Sequence, residues 1–373
     1  MGETIYKTLD EVASIEFGTR VVKSKVAGTQ YPVYGGGGET FRIDSYNREN
    51  RVVVGRFALS KQCTRFVSGK FFLNDSGLTV KTKDETVLIQ DLLDKLILYS
   101  NDLIYNLARG AGQKNLNIND FKELKISFPL NIEEQQRIVK ILDKAEEIRI
   151  KKKLANEKLD EFLKSTFIDM FGDPEFNNKN WEKVVIRDVV KDVKYGTSSK
   201  AGLTGTYPIL RMGNLTYNGA IVLDDLKYID LKESEIDKYT VHKGDILFNR
   251  TNSKELVGKT AVYRGTNTVA FAGYLVRVRT NNLAHYEFLS AFMNSSYMKK
   301  KLQMKCKNIV GMANINAQEF QDFDIYLPPI DLQNQFAQIV QKVEAQKEKN
   351  QKVIEQMDNL FNSLMQQAFN GEL

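Results

Sequence analysis

Several short stretches of the chain carry residue types that catalysis uses, and each fails on spacing. The run "SKELVGKT" (253–260) ends like a phosphate-binding loop, but G-x-x-x-x-G-K-T requires glycine where Ser253 stands. "YGGGGET" (34–40) has four glycines that let a backbone approach a ligand closely, yet no downstream acid completes a dinucleotide fingerprint. "ELK" (123–125) imitates the acid-x-lysine of a metal-dependent nuclease, whereas its counterpart later in the chain, Asp322-Phe323-Asp324, has no lysine. The two histidines, His242 and His285, lie far apart with no cysteine at ligand spacing, so no zinc site is expected. No serine or cysteine sits in a nucleophile motif. The aromatic-proline motif with which amino-methyltransferases hold a flipped base is also missing. The residues point to a binder without catalytic or metal chemistry of its own.

Composition narrows the kind of binder. A chain of 373 residues, 42% hydrophobic and 27% charged, is long enough for two ordinary domains with real cores. Cys63 and Cys306 form no disulfide framework, which suits a reducing compartment. No signal-like segment opens the chain and no apolar run approaches the ~20 residues of a membrane span, so a cytoplasmic protein without membrane contact is expected. The net charge of +6 is unevenly spread: +3 over 1–130, 0 over 131–170, −1 over 171–180, +6 over 181–330 and −2 over 331–373. Two basic blocks separated by neutral or acidic segments suit a polyanion partner.

The elements that position these residues come in duplicate. At an offset of 199, Gly112, Asn115, Leu116 and Asn117 match Gly311, Asn314, Ile315 and Asn316. Phe121, Leu124, Ile126, Phe128 and Pro129 likewise match Phe320, Phe323, Ile325, Leu327 and Pro328. The offset then becomes 198, and Ile141, Ala145, Ile148, Lys152, Ala155, Leu159 and Phe162 match Ile339, Val343, Gln346, Asn350, Val353, Met357 and Leu360. Those positions step alternately by four and three, the spacing of a coiled-coil seam, with Lys152, Asn350 and Gln346 as polar members that can fix register. Pro129 and Pro328–Pro329 precede the two helices, and Gly172 and Gly371 follow them. About 38 residues at 1.5 Å each give rods of roughly 55 Å. Ile138, Phe167, Phe336 and Phe369 are expected as exposed apolar positions available to partners.

The remaining blocks are rich in short β-type runs, with weaker parallels between them. "YPVYGG" (31–36) echoes "YPILRM" (207–212), "RVVVGR" (51–56) echoes "DILFNR" (245–250), and "GKFFLN" (69–74) echoes "GKTAVY" (258–263). The expected organisation is a domain over 1–130, a helix over 131–170, a linker over 171–180, a second domain over 181–329 and a second helix over 330–373. The fold class is α+β: two similar mixed α/β domains with β-rich cores, separated by two long antiparallel helices forming a pseudo-twofold symmetric coiled coil.

This pattern resembles the specificity (S) subunit of type I restriction-modification systems. The likeness rests on "FPLNIEEQQRIV" (128–139) and its echo "LPPIDLQNQFAQIV" (327–340). It also rests on "GDP" with Trp181 in the linker, "YPILRMGNL" (207–215), "DILFNRTNSKELVGKTAVY" (245–263) and "GMANIN" (311–316). The first block lacks the "RMGN" and "RTNS" elements and has "GGGG" and "FALSK" in their place. The resemblance implies two target recognition domains, each reading half of a split site in double-stranded DNA, and spacer helices that dock two methylation (M) subunits. It further implies restriction (R) subunits in the full complex. S-adenosylmethionine, ATP and Mg would act in those partners, and this chain would need no cofactor. In the second domain, Arg211, Asn214, Asn249, Arg250, Thr251, Asn252, Ser253 and Lys254 are the candidate base readers, since Arg matches guanine and Asn adenine edges. Lys200, Lys259, Lys305 and Lys307 are candidate phosphate clamps. In the first domain the candidates are Arg42, Arg56, Ser60, Lys61, Arg65 and Lys114, with Gly35, Gly36, Gly37 and Gly38 permitting close approach. Two competing expectations are a coiled-coil scaffold with protein-binding end domains and an uncharacterised DNA-modifying enzyme.

Overall fold

The computed structural model describes residues 4–25, 28–309 and 312–370, so Gly311, Gly371 and the side chain of Phe369 lie outside the described residues. The chain divides into two compact units, Met1–Lys153 with Gln351–Leu373, and Leu154–Asn350. Each long helix contributes one stretch to each unit.

Unit 1 begins with β1 (Thr4–Thr8), α1 (Leu9–Val12) and β2 (Ala13–Phe17), followed by β3 (Tyr31–Gly35), β4 (Gly38–Ile43), β5 (Arg48–Gly55), β6 (Thr64–Leu73) and β7 (Gly77–Thr82). The last six strands form one sheet in the order β2-β7-β5-β6-β3-β4, in which only β3 and β6 run parallel. Helices α2 (Gln90–Tyr99) and α3 (Asn101–Asn106), hairpin β8 (Ala108–Arg109) with β9 (Asn115–Leu116), α4 (Ile118–Lys122) and β10 (Lys125–Pro129) lead into α5 (Ile132–Phe171). Leu92, Leu93 and Leu96 of α2 pack with Val52, Val54 and Leu78 of the sheet in a core that also takes in Ile138 and Leu142 of α5.

Unit 2 repeats this order. It has β11 (Glu182–Val185), α6 (Ile186–Val189), β12 (Val190–Tyr195), β13 (Tyr207–Leu210), β14 (Lys227–Ile229), α7 (Glu233–Tyr239) and β15 (Thr240–Val241). Strands β16 (Ile246–Asn249), β17 (Thr251–Asn252), β18 (Thr260–Val262), β19 (Val269–Phe271) and β20 (Leu275–Thr280) follow. The chain continues through α8 (Tyr286–Met293), α9 (Ser296–Lys305), β21 (Lys307–Ile309), β22 (Met312–Asn314), α10 (Ala317–Gln321), β23 (Asp324–Leu327) and α11 (Ile330–Asn370). The ladder β12-β20-β16-β18 reproduces β2-β7-β5-β6, and β13 pairs parallel to β19 as β3 does to β6. The single long strand β6 is thus two strands in unit 2, interrupted by "YRGTNT" (263–268). The backbone bond Gly55 N–H to Cys63 O (2.8 Å) has its twin in Asn249 N–H to Lys259 O (2.8 Å), which aligns Thr64 with Thr260. The "GKFFLN"/"GKTAVY" echo therefore falls out of structural register.

The strongest stretch of the repeat is explained by two buried amides. Gln135 is wholly buried, donates Nε2 to Val87 O and Pro129 O (both 2.8 Å) and accepts from Ile89 N–H (3.0 Å). Gln333 does the same for Leu283 O (3.2 Å), Pro328 O (2.8 Å) and His285 N–H (2.8 Å). Each amide joins the end of a strand, the start of a long helix and the segment before α2 or α8, where no regular ladder serves these groups. Asn117 and Asn316 cap α4 and α10 in the same matched way. The ion pairs Arg109–Asp120 (2.6 Å) and Lys307–Glu319 (2.5 Å) are equivalent as well.

The seam differs in detail from the heptad reading. In unit 1, Leu142 shares a core with Phe361, Leu364 and Met365. In unit 2, Phe167 meets Phe336 (5.7 Å), Lys347 pairs with Asp160 (2.7 Å), and Asn350 Nδ2 donates to Asn156 Oδ1 (2.8 Å). Rising numbers on one helix meet falling numbers on the other, so the segments run antiparallel within each unit. Phe162 and Leu360, expected in the seam, are exposed. A straight α-helix drifts ~20° per heptad from a 3.5-residue repeat, and by that point the seam has moved to Leu163 and Phe361. Ile138, Phe167 and Phe336, expected as exposed partner contacts, are instead buried in their own units. Phe167 lies in a ring cluster with Phe171, Phe288 and Phe336. After α5, Gly172 takes the left-handed conformation (φ 82°) that ends the helix, and Trp181 Nε1 donates to Phe171 O (2.7 Å).

Replacing Gln135 with Leu leaves two carbonyls and one N–H unpaired. At about 1 kcal/mol each, the expected loss is about 3 kcal/mol in urea unfolding, with a similar loss for Gln333→Leu.

Candidate nucleic-acid interface

Two arginines occupy the same station in the two units. Arg56 follows β5 and Arg250 follows β16. The Arg56 N–H donates to Ser76 O (2.9 Å) and its carbonyl accepts from Leu116 N–H (2.8 Å). The Arg250 N–H donates to Tyr274 O (3.1 Å) and its carbonyl accepts from Ile315 N–H (2.9 Å). The Arg56 guanidinium lies 4.5 Å over Phe17 at the end of β2, and that of Arg250 lies 5.0 Å over Tyr195 at the end of β12. Each also donates to a turn carbonyl, Arg56 Nη1 to Asp75 O (2.9 Å) and Arg250 Nε to Gly273 O (3.1 Å). Phe57 covers Arg56 further, at 4.7 Å. Stacking and hydrogen bonding hold a planar, permanently charged fork in one orientation at a half-exposed site. That is the equipment for bidentate recognition.

Around Arg56 the structure gathers Ser60, Lys61 and Lys114. Leu59 N–H donates to Lys114 O (2.8 Å), Ser60 Oγ donates to Gln62 O (2.9 Å), Lys61 is exposed, and the Lys114 ammonium lies 4.4 Å over Tyr105. The glycine run serves packing rather than an open cradle. A Cβ on Gly35 would fall 2.4 Å from Ser76 Oγ, one on Gly36 would fall 3.1 Å from Gly55, and one on Gly38 (φ +124°) would meet Arg65. Arg65 in turn donates to Gly36 O (3.0 Å), and Gly37 alone faces open space. The close approach is by the protein's own chain. Arg42 stands apart on edge strand β4, paired with Glu39 (3.3 Å).

Around Arg250, Thr251 and Asn252 pair with β22, and Asn314 Nδ2 donates to Thr251 Oγ1 (2.6 Å). Lys307 is on the neighbouring strand β21, and the half-exposed Ser253 and exposed Lys254 continue the loop. Two expected readers, Asn214 and Asn249, are turned inward, and Thr251 is buried as well. Asn214 is buried, donating to Val222 O and Asp224 O (both 3.0 Å) while its Oδ1 accepts from Arg211 N–H (2.9 Å). Asn249 is wholly buried, and its Oδ1 accepts from Thr251 N–H (3.2 Å). Arg211 is tied to Asp225 (3.1 Å). The two asparagines are buried where they shape loops, whereas the Arg211 side chain stays 36% exposed. Lys259 is also buried, whereas Lys200 and Lys305 are exposed, Lys305 lying over Phe323 at 4.9 Å. The residues missed from sequence are the stacking partners Phe17, Phe57 and Tyr195, and the asparagines Asn115 and Asn314. Asn115 Oδ1 accepts from Ala58 N–H (3.1 Å) beside Arg56 as Asn314 braces Thr251 beside Arg250. Their identity at offset 199 was the available signal.

A concavity of unit 1, about 730 Å³, is lined by five acids against three bases, Arg65, Lys95 and Arg149. The acids are Asp91, Asp94, Asp143, Glu146 and Asp358. Burial pushes the Asp94 carboxyl up to about 6, against a hydrogen bond from Gln90 Nε2 (2.9 Å) that favours the anion. Among the described residues, no group of three or more His, Cys, Asp or Glu has metal-holding geometry, and no helix is long and apolar enough to cross a membrane.

The family model described as the type I restriction modification DNA specificity domain matches residues 3–158 and again 178–357. The chain belongs to this family. Specificity-domain relatives include the type I restriction enzyme EcoKI specificity subunit of Escherichia coli (strain K12), 24% identical over 299 residues, which cover 75% of this chain and 64% of that one. The putative type I restriction enzyme MjaX specificity subunit of Methanocaldococcus jannaschii is 29% identical over 167 residues, covering 43% and 39%. The chain thus aligns with less than two thirds of either curated relative. Among solved structures, the type I restriction-modification S subunit from M. genitalium superposes with a TM-score of 0.64 at 17% identity, covering 99% of this chain and 96% of that one. A chain of a type I R-M system solved for its complex assembly and conformational transition gives a TM-score of 0.52 at 15% identity, covering 100% and 98%. At these identities the superpositions establish a shared specificity-domain fold, as the repeat and its motifs led one to expect.

The unfolded chain releases the Asp94 proton near pH 4, whereas the folded protein keeps it to about pH 6, so this group lowers stability as pH rises between those values. Asp94→Asn is expected to add about 1–2 kcal/mol at pH 7 and to flatten that limb, read from urea midpoints at pH 4.5 and pH 7.

Proposed function

We propose that this protein is a sequence-specific DNA-recognition subunit of a type I restriction-modification complex, reading a split, asymmetric site with one half per unit. The observation that carries this reading is the pair of equivalent stations: Arg56 on Phe17 and Arg250 on Tyr195, each at the head of a different set of loops. A common frame with unlike loops suits two unlike half-sites, as a dimer's symmetry suits a palindrome. The two basic blocks found in the sequence supply the sequence-independent attraction. The relatives named as specificity subunits support the same role.

In this reading the chemistry belongs to partners. Two methylation subunits would dock on the long helices and carry S-adenosylmethionine, and restriction subunits would use ATP and Mg. The chain itself would need no cofactor. Its part is to place the complex on DNA by phosphate contacts and to choose the site by base-edge contacts.

The test is a footprint of the chain, purified with its methylation partners, on a library of split sites. Arg56→Ala is expected to relax base preference in one half-site only, and Arg250→Ala in the other, each by about 1–3 kcal/mol. Protection of no defined split sequence, or loss of both halves from either change, would overturn the reading.

A further inference from the structure

Unit 2 holds two lysines that its fold largely buries, and among the described residues neither has a counter-ion. Lys259 is 9% exposed and Lys299 is 6% exposed. Lys299, in the first turn of α9, donates Nζ to Gly258 O (3.0 Å) and lies 4.8 Å over the Tyr217 ring. Lys259 is the next residue after that carbonyl, and among the described residues its ammonium has neither a hydrogen bond nor an ion pair. Burial pushes both lysines down, and Lys299, further repelled by Lys259, falls to about 8. Gly258 is left-handed (φ +80°), and a Cβ there would fall 2.6 Å from Leu302 of α9, so the bend sits directly on the helix that carries Lys299. Asn249, joined by its backbone to Gly258 and Lys259, adds a buried Nδ2 that donates to nothing.

Unit 1 provides an internal control. The residue equivalent to Lys259 is Cys63, a buried thiol that burial keeps protonated by raising it to about 11. The short helix α3 reaches the same bend with Asn101. Its Oδ1 accepts from Cys63 N–H (3.0 Å), Thr64 N–H (3.1 Å) and Thr64 Oγ1 (3.1 Å), and its Nδ2 donates to Lys61 O (2.9 Å). The fold therefore closes this bend with neutral, satisfied groups. The two lysines of unit 2 are not a requirement of the scaffold, and two desolvated like charges cost stability unless an anion joins them.

We propose that Lys259 and Lys299 form a single oxyanion site in unit 2, filled in the DNA-bound protein by one backbone phosphate. This rests on the DNA-reading role and deepens it: unit 2 would hold one phosphate in a recessed two-lysine seat that unit 1 lacks. A phosphate oxygen supplies the acceptors that both ammonium groups need, in charge-assisted bonds. Inorganic phosphate offers the same chemistry, so the test needs two arms.

In the first arm, the full chain is melted in inorganic phosphate and in chloride at equal ionic strength. In the second, the complex with its methylation partners is titrated with salt on matched and unmatched duplexes. Phosphate is expected to raise the wild-type midpoint and to leave K259M and K299M unmoved. Each change should reduce the slope of log Kobs against log salt by about 0.9 on both duplexes, the signature of one lost phosphate contact. K259M carries the test if K299M does not fold, since the Lys259 ammonium supports no other group. Unchanged slopes together with an unchanged phosphate response overturn the site. A lost phosphate response with unchanged slopes overturns DNA as its occupant. A lost phosphate response in a protein that binds no DNA upholds the oxyanion site and overturns the DNA-reading role instead.

Discussion

Everything that can differ between the two halves of this protein hangs from a buried amide that does not. Gln135 and Gln333 each tie the end of a strand, the first turn of a 40- or 41-residue helix and the segment before α2 or α8. A buried amide with donors and acceptor all matched is hard to replace, because any other side chain of that size leaves main-chain groups unpaired. The matched Asn caps and the matched ion pairs at Arg109 and Lys307 lie nearby in sequence. This conserved joint lets the sheets beyond it diverge without disturbing how they are mounted.

Divergence is greatest at the loops. Unit 1 runs β6 as one ten-residue strand and closes the neighbouring turn by packing glycines against Gly55, Ser76 and Arg65. Unit 2 breaks the equivalent strand and builds a long bend between β16 and β18 seated on α9. Yet Arg56 and Arg250 keep the same main-chain partners and the same aromatic support. An arginine so held presents its fork with little rotamer entropy left to lose on binding, which is useful whatever edge it meets.

Much of this was legible in the sequence, and what was not has identifiable causes. The repeat offset located both helices and matched Asn117 with Asn316, whereas the roles of Gln135 and Gln333, which lie in the same repeat, were not legible because their partners Ile89, Val87, His285 and Leu283 are 46–50 residues away. The "RVVVGR"/"DILFNR" echo placed Arg56 opposite Arg250 correctly. The "GKFFLN"/"GKTAVY" echo failed because short β runs resemble one another in composition at many registers. Asn214 and Asn249 looked like surface readers since polarity is all that sequence shows, and their burial depends on loops folding back over them. Phe162 and Leu360 were misplaced because a strict heptad count ignores the drift of a straight helix.

Unit 1 is assembled from two separated lengths of chain, and its core includes Met365 together with Leu92, Ile138 and Leu142. A ribosome makes residues 154–350 in between. At roughly 5–20 residues per second, the first 153 residues wait about 10–40 s for Phe361, Leu364 and Met365 to arrive. During that interval unit 2 has all of its own residues in one continuous stretch and can close first. The half that is begun first is the half that is finished last, and until then it must keep an uncovered apolar face from finding the wrong partner.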